Sequence, residues 1–92
     1  MKRDEIYLKL LQQNGQDHQI TVAIEELAEL TKELTKAVRG FPNKMRITEE
    51  IADVTICIEQ LMLMYEISDN DIKLFTTYKL KRLERFYVGL NN

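Results

Sequence analysis

The chain has 92 residues, a net charge of −2, and 45% apolar and 30% charged residues. Such a composition excludes a disordered polar chain. The interspersed charges exclude the basic arm or stripe of a nucleic-acid-binding domain. The length leaves room for one domain, residues 1–92, and a domain this small buries only a modest share of its surface alone, so a partner chain bears on its stability.

Gly15 and the run Gly40-Phe41-Pro42-Asn43 are the main breaks, and no segment shows strand alternation. Four helices are predicted. The first runs from about Arg3 to Gln13, with Ile6, Leu8, Leu10 and Leu11 as its apolar content. The second runs from about Asp17 to Val38 and carries the stripe Ile20, Ala23, Leu27, Leu30, Leu34 and Val38, closed by Arg39 and Gly40. The third runs from about Thr48, read as its N-cap, to Tyr65, with Glu49 and Glu50 in its first turn. The fourth runs from about Asp69 to Tyr87, and Ser68 and Asp71 have the spacing of a capping box.

The later turns of the third helix, Ile56 to Met64, are apolar nearly all round, which predicts burial nearly all round. Four short helices can hardly enclose it, so an oligomer is expected. The N-terminal Met1-Lys2-Arg3-Asp4-Glu5-Ile6 lacks the apolar stretch of a signal peptide. Val54 to Tyr65 is interrupted by Glu59 and Gln60 and is too short to span a bilayer. A cytoplasmic protein without a membrane partner is therefore expected. The single cysteine, Cys57, lies in an apolar run and reads as a small core residue.

Two segments echo each other. Glu25-Glu26-Leu27-Ala28-Glu29-Leu30 is followed 24 residues later by Glu49-Glu50-Ile51-Ala52-Asp53-Val54. Residues three apart share a helix face, so Glu26 projects with Glu29 and Glu50 with Asp53. If the second and third helices form an antiparallel hairpin through Leu27, Leu30, Ile51 and Val54, four carboxylates converge along one edge. Converging carboxylates repel one another, and burial adds a desolvation cost. A hard divalent cation offsets both, and Mg²⁺ leaves positions for water and substrate phosphates. Each acid alone reads more readily as a solvated helix residue, with Glu29 beside Lys32 and Glu33 beside Lys36, and only the two echoing pairs together set the metal reading level with that one.

The motif Glu25-Glu26-x-x-Glu29, then 20 residues, then Glu50-x-x-Asp53 resembles the EExxE…ExxD signature of MazG-like enzymes, within the all-α nucleoside triphosphate pyrophosphohydrolases. The likeness runs from His18-Gln19 to Tyr78-Lys79-Leu80-Lys81-Arg82-Leu83, about three quarters of the chain. It implies a four-helix bundle-like MazG-type fold completed as a homodimer or homotetramer. It also implies Mg²⁺-dependent hydrolysis, with Mn²⁺ able to substitute, of an NTP or dNTP to the monophosphate and pyrophosphate. By the same resemblance Glu26, Glu29, Glu50 and Asp53 would hold the metal, and Glu25 beside them would bind a further metal or orient or deprotonate the attacking water. Lys79 and Arg82, with Arg85 nearby, would grip the phosphates, and His18 and Gln19 would reach the base. There is no Trp to stack on a base; Phe41, Tyr78 and Phe86 are the aromatic substitutes, and each also reads as core. Phosphoribosyl-ATP pyrophosphohydrolase activity and a non-catalytic helical interaction module are the competing readings.

Overall fold

The computed structural model describes residues 1–88, with side chains through residue 87. It is all-α: α1 spans Arg3–Asn14, α2 Gln16–Val38, α3 Lys44–Met64 and α4 Asp69–Leu83, and a π-helical turn follows over Glu84–Val88. No described helix is long and apolar enough to cross a membrane.

The helix ends follow from local chemistry. Gly15 separates α1 from α2 at φ 86°, a conformation that side chains rarely adopt. α2 closes in a Schellman motif, with Gly40 at φ 97°, its N–H on the Ala37 carbonyl and the Phe41 N–H on the Lys36 carbonyl. α3 closes the same way, Glu66 N–H to Leu63 O and Ile67 N–H to Met62 O, but the left-handed position is taken by Glu66 at φ 54°. A side chain there costs about 1 kcal/mol relative to glycine. Glu66→Gly should accordingly raise the urea midpoint of unfolding, by roughly 0.5–1 kcal/mol of stability.

The start of α3 corrects the sequence expectation. Asn43, not Thr48, is the N-cap: its Oδ1 accepts the Arg46 N–H at 3.1 Å. Thr48 lies a turn inside the helix, where its hydroxyl donates to the Lys44 carbonyl at 2.7 Å. The Ser68–Asp71 capping box is present as the spacing predicts. The Ser68 backbone N–H and hydroxyl hold the Asp71 carboxyl below its usual range.

α2 and α3 form an antiparallel hairpin, the best-packed pair in the protomer. Its seam is built from Gln19, Ala23 and Glu33 of α2 and Glu50, Val54, Cys57 and Gln60 of α3, all buried. Leu27 and Ile51, expected in the seam, are about half exposed at 47% and 50%. Ala23 and Val54, also expected on the inward faces, are buried there, and polar residues take the other inward positions. α1 lies against this hairpin through Tyr7, while Ile6 and Leu8 face outward. Tyr7 Oη donates to Glu59 Oε2 at 2.7 Å, and Arg3 Nη1 donates to Glu59 Oε1 at 2.8 Å.

α4 packs along none of the other three helices. Its first residue, Asp69, borders a depression shared with Asp4, Met62 and Ile67. The result is an extended protomer, with a radius of gyration of 16.8 Å against about 12 Å for a compact chain of this length. It exposes 7762 Å², where a compact monomer of this mass would expose roughly 5,600 Å². Among the described residues no large side chain is fully buried. Ile56 and Ile58 on α3 are nearly half exposed, so the all-round burial expected of that helix is not reached within one protomer. Phe41, Tyr78 and Phe86 are all mostly exposed, which corrects their reading as core residues of a single chain.

Candidate metal centre

The antiparallel register sets Glu26 of α2 against Glu50 and Asp53 of α3. One carboxylate oxygen from each lies within 4.8 Å of the others, with Glu50 buried, Glu26 half-buried and Asp53 exposed. Burial, the charges of Asp53 and Glu50, a hydrogen bond with Asp53 and the charge of Glu29 together push the Glu26 carboxyl above its usual range. Three acids are therefore held together against their own repulsion.

Glu50 is the least satisfied of them. It is 5% exposed; its Oε1 accepts from Arg46 Nη2 at 3.2 Å, while its Oε2 is buried without a hydrogen-bond partner. A buried carboxylate oxygen without a partner is costly, and a bound cation would remove that cost. The donor set is all oxygen and anionic, which suits a hard divalent ion such as Mg²⁺. The residues present thus fit the metal that the sequence motif implies.

Two expected members stand outside the three-acid group. Glu29 is exposed and acts on Glu26 only through its charge. Among the described residues, no ion pair joins it to Lys32. Glu25 is exposed on the next position round α2 from Glu26, because consecutive helical residues diverge by about 100°. Glu33 pairs with Lys36 at 3.4 Å as its spacing suggests, but it is 4% exposed rather than solvated.

A cleft of about 290 Å³ opens beside the acids, lined by His18, Gln19, Val22, Glu26, Asp53 and Cys57 among others. His18 and Gln19 thus share a cleft with Glu26 and Asp53. Gln19 is held by Asn14 Nδ2, which donates to its Oε1 at 3.5 Å. Cys57 is buried as expected; burial and the charges of Glu26 and Asp53 push its thiol up, which keeps it protonated and unsuited to nucleophilic attack.

Lys79 and Arg82 share one face of α4 and line a separate groove of about 390 Å³ with Leu83, Phe86 and Tyr87. Because α4 leaves the hairpin, the protomer does not bring these cations to the carboxylates. Arg85 is likewise exposed in the turn after α4. Sequence reasoning missed Arg46. Its signal was the Asn43-x-x-Arg46 cap spacing, which places Arg46 inside α3 and one turn before Glu49 and Glu50. No family model, curated protein or solved structure matches the chain.

Proposed function

We propose that the protein is a Mg²⁺-dependent nucleoside triphosphate pyrophosphohydrolase of the MazG-like kind, acting on an NTP or dNTP. The observation that carries this reading is the three-carboxylate group of Glu26, Glu50 and Asp53, in which Glu50 keeps one buried oxygen, Oε2, without a hydrogen-bond partner. Glu26, Glu50 and Asp53 would hold the cation, with Glu29 joining from its exposed position one turn along α2. A divalent ion held there would supply Lewis acidity and a more acidic water for phosphate hydrolysis. Glu25 orients the attacking water and takes its proton. Lys79 and Arg82 neutralise charge on the phosphates, the Arg as a planar fork and the Lys as a point charge. Gln19, fixed by Asn14 at the far end of the cleft, contacts the base.

The working unit is a homodimer or homotetramer in which α4 of one chain covers the hairpin of another. The excess exposed surface of roughly 2,000 Å² is of the size that obligate interfaces bury. A cleft of about 290 Å³ is at the small end for a ligand site, as expected of half a site. The test is hydrolysis of each common NTP and dNTP, with Mg²⁺ present or chelated, alongside phosphoribosyl-ATP. Monophosphate and pyrophosphate should appear only with Mg²⁺. No release from any nucleotide rules out the enzyme reading in favour of an interaction module.

A further inference from the structure

Arg46 stands on α3 one turn before Glu49 and Glu50. Its guanidinium is divided: Nη1 donates to Glu49 Oε2 at 3.1 Å and Nη2 to Glu50 Oε1 at 3.2 Å. An arginine able to close both prongs on one carboxylate would occupy both of its oxygens. Here Glu49, whose side chain is 55% exposed, draws one prong toward solvent. The other prong fixes a single oxygen of a side chain that is 6% exposed, and the second oxygen is left buried and unpaired. The arrangement orients Glu50 without saturating it.

We propose that Arg46 is a positioning residue, anchoring one oxygen of Glu50 so that the other is presented to a divalent cation shared with Glu26 and Asp53. The role rests on the metal reading given above. It also assigns Glu49 a part, as the partner that keeps Arg46 from closing on Glu50 with both prongs. Partners behind a metal ligand fix its orientation, and their loss typically weakens metal affinity about 10- to 100-fold.

The test compares the parent with Arg46→Met, which keeps the aliphatic stem, and Arg46→Lys, which restores a cation with a compact head. Mg²⁺ is titrated against the thermal midpoint of the substrate-free protein, and separately against nucleotide hydrolysis. Arg46→Met should raise the Mg²⁺ concentration for half-maximal response on the order of tenfold in both titrations. At saturating Mg²⁺ its KM for nucleotide should match the parent's, because Arg46 does not touch substrate. Arg46→Lys should recover most of the lost Mg²⁺ affinity. An Arg46→Met protein with an unchanged or lowered Mg²⁺ requirement overturns the role. So does one that stays unfolded in saturating Mg²⁺, since the cation would then supply the charge that Glu50 lacks. A parent whose midpoint ignores Mg²⁺ removes the metal site and this role together. A responsive parent matched by Arg46→Met removes the role alone.

Discussion

Asp53→Asn and Glu50→Gln should each reduce Mg²⁺-dependent hydrolysis by at least about 10- to 100-fold, since removing a ligand costs no less than removing a residue behind one. Glu26→Gln should do the same and, in addition, stabilise the metal-free protein. The sign follows from its environment. Burial and the neighbouring carboxylates hold the Glu26 carboxyl above its usual range. Above that raised pKa the folded state bears the cost of ionising it, and the cost is relieved as pH falls through it. Gln has the same shape and no charge, so the midpoint of the metal-free variant should exceed the parent's at neutral pH. The difference should shrink when the pH is lowered or Mg²⁺ is added to the parent. Differential scanning calorimetry at two pH values, with and without Mg²⁺, reads all of this. Variants that hydrolyse nucleotides like the parent would reduce the three acids to helix charges. Lost activity together with lost stability would indicate a damaged fold instead.

Mixing two inactive variants should restore activity. Lys79→Ala combined with Arg82→Ala leaves the acids intact, and Asp53→Asn leaves the cations intact. In the protomer α4 packs along none of the other helices, so cations and acids meet only if one chain's α4 reaches another chain's hairpin. Random reassortment into dimers makes half of them mixed, each with one complete site and one lacking both sets. About a quarter of parental activity should then return after unfolding and refolding the mixture. Neither variant alone should regain activity on the same treatment. No recovery from a mixture shown by sedimentation to contain mixed oligomers would put acids and cations in one chain. A monomer of 10.9 kDa with full activity would remove the interface altogether. Lys79 and Arg82 are exposed and make no hydrogen bond or ion pair among the described residues, so their loss should leave the thermal midpoint nearly unchanged.

The sequence alone determined the helical class, the Gly40 terminus of α2, the Ser68 capping box and the three-residue spacing that pairs Glu50 with Asp53. These depend on backbone preferences and on periodicity within one helix, which act locally. The register between helices was decided only in the tertiary structure. Periodicity marks the most apolar stripe, and it pointed to Leu27 and Ile51, yet the hairpin closes through Gln19, Glu33, Glu50 and Gln60 beside Ala23, Val54 and Cys57. Polar residues enter that seam because they come with partners: Lys36 of α2 for Glu33, Arg46 of α3 for Glu50, and Asn14 at the end of α1 for Gln19. Reading Thr48 as the cap left Arg46 outside the helix and so hid the side chain that holds Glu50. Which acids meet was likewise a tertiary matter. Glu26, Glu29 and Glu25 are equivalent as text, but the face that α2 turns toward α3 admits Glu26 and leaves the other two in solvent.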